Sequence, residues 1–353
     1  MSARRIGAAA AAAIAVAAVA AGCGGGSGGK SANATTTTSA AKPAGKAYVV
    51  LVTDINQLND HGFNQLAYQG LLRAEKKLGV RGVVYQSASA QAYIPNLSSA
   101  ARRKADLVVA VGFDQAAAVA QVAKEFPHTH FAIIDVSQGD LAGKPKNVQG
   151  LIFREQQVGY LAGYLAGLQE KRRGGANTIG SVGGEKQPPV DRYIAGYQAG
   201  ARKADPGVKL LNAYSQDWVD QAKCKQAALS QIAAGAGIVF QVAGGCGLGV
   251  LDAAKERNVW GIGVDADQSY LGPQVLTSAL KRVDTSVYDT IGQVLDGRFA
   301  GGRNAVFDLA NDGVGLGKVS PRVPAGDVAK VQKIAKQIAA GRITNIPTEL
   351  IAP

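Results

Sequence analysis

The sequence predicts an α/β protein built as two lobes, each around a doubly wound parallel sheet. Three observations lead there. From residue 48 onward, short β-branched runs alternate with amphipathic stretches, the rhythm of parallel strands joined by helices. The 353 residues exceed what one ordinary core organises. Many of the 45 glycines fall where a strand would turn into a helix.

Taken in order, strands are expected at 48–53, 83–86, 107–111, 131–134, 178–182, 210–214, 238–242 and 259–264. Helices are expected at 63–78, 116–125, 156–169, 190–203, 219–234 and 248–257. About eight strands make two sheets of four or more. The segment 147–153 is a candidate crossover between lobes, and Asp205-Pro206-Gly207 is a turn.

The N-terminal 22 residues read as a signal rather than as structure. Arg4 and Arg5 precede an alanine-rich apolar run, then Gly22 and Cys23. The run is short, which weighs against a permanent membrane helix. Ala20-Ala21-Gly22-Cys23 resembles a bacterial lipobox, so Cys23 is expected to carry lipid and anchor the chain to the outer face of the cell membrane. Residues 23–46, rich in Gly, Ser, Thr and Ala, form a flexible tether. Gly24 to Ser31 match the phosphate-binding pattern G-x-x-x-x-G-K-S, but no strand leads in, so the match is compositional.

The formal net charge is +12; removing Arg4 and Arg5 with the signal leaves +10. Lys and Arg are scattered, in runs of no more than three such as Lys171-Arg172-Arg173, so no nucleic-acid partner is expected. Outside the glycine-rich tether no G-x-S-x-G elbow is present, nor any H-E-x-x-H motif or Cys-supported His pair, so neither a catalytic set nor a metal or cofactor is expected. His128 and His130 stand alone, where a strand begins.

In open α/β sheets ligands bind at the carboxyl ends of the strands. Three expected strands run into Asp54, Asp135 and Asp265. A carboxylate can hold paired ribose hydroxyls or the N–H edge of a base, although Asp is also a common helix cap. Phe63 and Trp218 lie near the same rim and could sandwich a flat ring, or fill cores. Gly244 and Gly245 open a glycine-rich segment between a strand and a helix, where backbone can approach a ligand closely. Two carboxylates also serve glycosidases, but nothing sets these at catalytic separation.

The stretch TDINQLNDHGFNQLAYQG (53–70) resembles the opening motif of the basic membrane protein family, the substrate-binding lipoproteins of ABC importers similar to the purine nucleoside receptor A type. VGF (111–113), IIDVS (133–137), VGYLAG (158–163), IGSVGG (179–184), VFQVAGGCG (239–247), IGVDADQ (262–268) and LTSALKRVDTSV (276–287) follow in family order. The resemblance implies a type I periplasmic-binding-protein fold with two lobes, a hinge and a cleft. The first lobe would comprise 47–150 plus about 276–300, and the second 151–275 plus about 301–353. It implies a monomer that binds a purine nucleoside and hands it to a permease, with sugar binding or sensing as rivals. Phe63 and Trp218 would be the stacking rings. Asp54 and Asn64 would contact the base, and Asp265 and Lys281 the ribose, with Lys281 keeping Asp265 ionised. Asp135 and the Gly244–Gly245 backbone would complete the polar ring. Cys246 stands where the family often has Thr. With Cys23 lipidated, Cys224 and Cys246 remain as a pair at one rim, and a disulfide bracing the Trp218 loop is expected.

Overall fold

The structure, a computed structural model, describes residues 46–350. The signal, Cys23, the phosphate-loop look-alike and the tether up to residue 45 lie outside the described residues. The first sheet is formed by β1 (Tyr48–Val52), β2 (Arg81–Tyr85), β3 (Leu107–Ala110), β4 (His130–Ile134), β5 (Val148–Phe153) and β11 (Asn304–Phe307), in the order β11-β5-β4-β3-β1-β2. Every pair in it is parallel. The second sheet holds β6 (Thr178–Gly183), β7 (Lys209–Tyr214), β8 (Ala236–Val242), β9 (Trp260–Asp265), β10 (Val275–Lys281) and β12 (Val314–Leu316), in the order β12-β10-β9-β8-β6-β7. Only β12 runs antiparallel, against β10.

The connecting helices are α1 (Phe63–Leu78), α2 (Tyr93–Arg102), α3 (Ala116–Glu125), α4 (Glu155–Arg173), α5 (Pro188–Ala204), α6 (Gln221–Ala233), α7 (Leu248–Glu256), α8 (Val283–Leu295) and α9 (Ala325–Ala339). The central strands are buried on both faces, as a sheet covered by helices requires: β3 reads Leu-Val-Val-Ala without an exposed residue. No helix among the described residues is long and apolar enough to cross a membrane.

Two local devices position the site. The buried Asp60 carboxylate accepts the backbone N–H of Gly62, Asn64 and Gln65, at 3.0, 2.9 and 3.1 Å. It thereby satisfies three of the free donors at the start of α1, on both sides of Phe63, the helix's first residue. Helices α4 and α5 cross at backbone distance. A Cβ added at Gly159, Gly163, Gly196 or Gly200 would collide with the main chain of the facing helix. The glycines at 159 and 163, four apart, lie on one face of α4 and let this crossing form.

The chain crosses between sheets three times: at Arg154 after β5, at Arg282 after β10, and between β11 and β12. The crossings lie side by side. Arg154 N–H donates to Phe307 O and Arg282 N–H to Gly313 O, each at 2.9 Å. Two expectations are corrected here. Residues 148–153 are a strand of the first sheet, and the crossing follows at Arg154. The strand 275–281 belongs to the second sheet and 304–307 to the first, opposite to the expected lobe boundaries. Pairing decides both: β10 hydrogen-bonds along β9, and β11 along β5. Helix α8, by contrast, packs on α1 beside the first sheet.

Candidate binding site

Each sheet reverses its strand order once, between β1 and β3 in the first and between β6 and β8 in the second. Ligands of open α/β sheets bind where that reversal opens a crevice. Here both crevices face one cavity. The loops after β1 and β3 supply Asp54, Asn56, Gly112 and Phe113; those after β6 and β8 supply Gln187 and Gly244. Phe63, Trp218, Asp135, Asp265 and Lys281 line the same cavity.

The three aspartates therefore meet, from both sheets. Asp135 (φ 72°) and Asp265 (φ 62°) are held in the left-handed region, which non-glycine residues enter at some strain and which recurs at functional sites. Burial pushes the Asp265 carboxyl up to about 7, although Lys281 pulls it down; Tyr193 donates to Asp265 Oδ1 at 3.3 Å. Burial likewise raises Asp54 to about 6, against the hydrogen bonds of Tyr93 and Ile55 N–H.

Lys281 differs from expectation. Its ammonium, only 2% exposed, lies 2.6 and 2.7 Å from the two oxygens of Asp135 and 2.9 Å from Glu155 Oε1. It is thus the partner of Asp135 and Glu155 rather than of Asp265, whose carboxyl burial keeps above its usual range. Arg192 Nε donates to the other Glu155 oxygen at 2.7 Å. Burial opposes the charge on Glu155, yet Lys281 and Arg192 outweigh it and hold the carboxyl below its usual range. Phe63 and Phe153 place ring faces 5.2 and 4.9 Å from the same ammonium.

Asn64 does not line the cavity. Its Oδ1 accepts Asp54 N–H at 3.1 Å and its Nδ2 donates to Asn56 O at 3.3 Å, so it shapes the loop behind the cleft. Asn56 is the asparagine that faces inward. Gly245 lies beside Gly244 outside the lining. Glu155, Arg192, Tyr193, Tyr93 and Asn56 had no sequence signal, because each gains its role only from a partner distant in the chain or from the turn of one loop.

Trp218 rests against Gly184: a Cβ there would stand 2.5 Å from the indole ring. Cys224 in α6 and Cys246 after β8 form a disulfide with a Cα–Cα distance of 5.6 Å. Cys246 N–H donates to Trp218 O at 2.9 Å, so the bridge ends at the residue that holds the tryptophan loop. Replacing both cysteines by serine is expected to lower the free energy of urea unfolding by about 3 kcal/mol, from the loop of sequence separation 22 that the bond closes. A change below about 1 kcal/mol would contradict this origin.

The mouth is spanned by polar contacts between the lobes. Gln187 Nε2 donates to Asp114 Oδ1 at 2.8 Å, Gln268 Nε2 to His61 O at 3.2 Å, and Tyr270 Oη meets His61 Nδ1 at 2.8 Å. Two lobes, three crossing segments and a cavity between two switch points define a protein that holds a small solute between its lobes.

Residues 47–348 match the family described as ABC transporter substrate-binding protein PnrA-like, and the chain belongs to it. The ABC transporter nucleoside-binding protein BmpA of Lactococcus lactis is 35% identical over 316 residues, 83% of this chain and 87% of that one. The CD4+ T-cell-stimulating antigen of Listeria monocytogenes is 34% identical over 317 residues, 84% and 87% of the two chains. A solute-binding protein of an ABC transporter system from Aeropyrum pernix superposes with a TM-score of 0.76 at 26% identity, covering 85% of this chain and 93% of its own. The chain is therefore a substrate-binding protein of the type I fold and not an enzyme; its partners are a small-molecule ligand and a permease.

Proposed function

We propose that the ligand is a purine nucleoside, and that the protein acts as a monomer tethered to the outer face of the cell membrane through lipid on Cys23. The observation that carries the ligand is the composition of the cavity. Two aromatic residues, Phe63 and Trp218, come from opposite lobes, and carboxylates come from both. A purine base stacks between rings at about 1–3 kcal/mol each. Ribose hydroxyls donate to carboxylates such as Asp135 and Asp265. The nucleoside-binding relative of Lactococcus lactis supports the same reading.

The test is a thermal-shift screen of the protein from residue 47 onward against nucleosides, free bases and sugars. A nucleoside at about a hundred times its Kd stabilises the native state by about 2.7 kcal/mol. A response to pentoses or hexoses and to no nucleoside defeats the proposal.

The pH dependence is a second check. With carboxyls pushed up to about 6 and about 7, Asp54 and Asp265 are full hydrogen-bond acceptors for the ligand only when ionised. Nucleoside-induced stabilisation should therefore grow as pH rises through that interval. Equal stabilisation on both sides of it would show that neither carboxylate accepts from the ligand.

A further inference from the structure

We propose that Tyr93 is a positioning residue of this site: together with Ile55 N–H it fills one oxygen of Asp54 and leaves the carboxylate a single free oxygen, so this end of the cavity takes a ligand group that donates to that oxygen. The inference rests on the reading of Asp54 as a ligand contact. Tyr93 is the first residue of α2, is 3% exposed and does not line the cavity. Its hydroxyl donates to Asp54 Oδ1 at 2.5 Å, and Ile55 N–H donates to the same oxygen at 2.7 Å. A carboxylate oxygen offers two lone-pair sites, and both are then used. Oδ2 remains, and glycine at 112 keeps it uncovered: a Cβ there would stand 2.6 Å from Oδ2.

Two acidic groups also act on Asp54, Asp114 in the turn after β3 and Glu185 in the loop after β6. With burial they push the carboxyl upward, while Tyr93 and Ile55 N–H oppose them. Tyr93 thus keeps Asp54 an acceptor at neutral pH as well as aiming it.

The experiment compares inosine binding to the full protein and to Tyr93→Phe by calorimetry across pH. Losing the hydroxyl moves the Asp54 midpoint above about 6. A shift of one unit makes the variant's Kd about tenfold weaker at pH values below both midpoints and about threefold weaker midway between them, and the ratio returns toward one above them. A ratio constant with pH, or equal to one throughout, overturns the proposal, because a packing defect weakens binding alike at every pH. Should Phe at position 93 fail to fold, 3-fluorotyrosine installed there, nearly isosteric and a stronger donor, is expected to move the midpoint down, and an unmoved midpoint is fatal. Carboxyl 13C titration of Asp54 in ligand-free protein separates the failures. If inosine does not bind but the Asp54 midpoint still rises in Tyr93→Phe, the nucleoside reading falls and the positioning role stands. An Asp54 midpoint equal in both proteins removes that role.

Discussion

Lys281→Met is expected to destabilise the native state by about 3–5 kcal/mol, because it leaves Asp135 and Glu155 buried without their shared cation. Methionine matches the lysine stem in length, so the loss is electrostatic rather than a cavity. Lys281 is itself buried, and burial alone would lower its affinity for a proton. The carboxylates of Asp135, Glu155 and Asp265 outweigh that and raise it. Without the ammonium, the two acids are raised and hold protons in the native state that the unfolded chain releases. The variant's deficit therefore grows as pH rises through the raised values and shrinks as pH falls below the ordinary carboxylate range. Urea unfolding at neutral and acid pH reads this directly. Adding Glu155→Gln to Lys281→Met should recover part of the loss, a coupling that a double-mutant cycle measures. A loss that does not change with pH would mean that the carboxylates find other partners.

Gly163→Ala carries the second large effect. In an open helix this change gains about 1 kcal/mol of helix propensity. At Gly163 the new methyl would strike the carbonyl of Tyr197, a backbone atom that cannot swing aside. Relieving it means separating α4 from α5, and overpacking of this kind costs about 1–3 kcal/mol before the lost contacts of the crossing are added. Steric conflict therefore wins, and we expect a net loss of about 3 kcal/mol in denaturant unfolding. Gly292→Ala supplies the contrast. It lies in α8 with nothing within 4 Å of an added Cβ, so the propensity gain stands alone and the variant should be as stable as the parent or more so. If both substitutions behave alike, the close crossing is not what Gly163 provides.

Much of the cleft could be read from sequence because its signals are local. A β-branched run ending in aspartate marks a strand rim, and Asp54, Asp135 and Asp265 do reach one cavity. What stayed hidden depends on distance or on context. Glu155 looks like any charged residue opening a helix, and its partner Lys281 lies 126 positions away. Asn56 and Asn64 stand in one motif, and only the folded loop decides which faces inward. Helix α2 is concealed in the sequence because Tyr93-Ile94-Pro95 reads as a break, although proline is tolerated in the first turn. Strand β10 contains Thr277, Ser278 and Lys281, all buried. Its polar composition is offset by partners elsewhere, such as Gly317 O for Thr277 and the Gln268 N–H for Ser278. The boundary errors at 275–281 and 304–307 share that cause, since pairing partners are not written into the strands themselves.

The first sheet has an edge that is finished late. Strands β1 to β5 are complete once residue 153 exists, but β11, which covers the free edge of β5, consists of residues 304–307. The whole second sheet except β12 is made in between. During synthesis or refolding, β5 therefore presents unpaired backbone to other chains, a template for misassembly. Native pairing of β11 must wait for a long loop to close, which slows it. A chain of this design gains from being kept unfolded until its last strands are available.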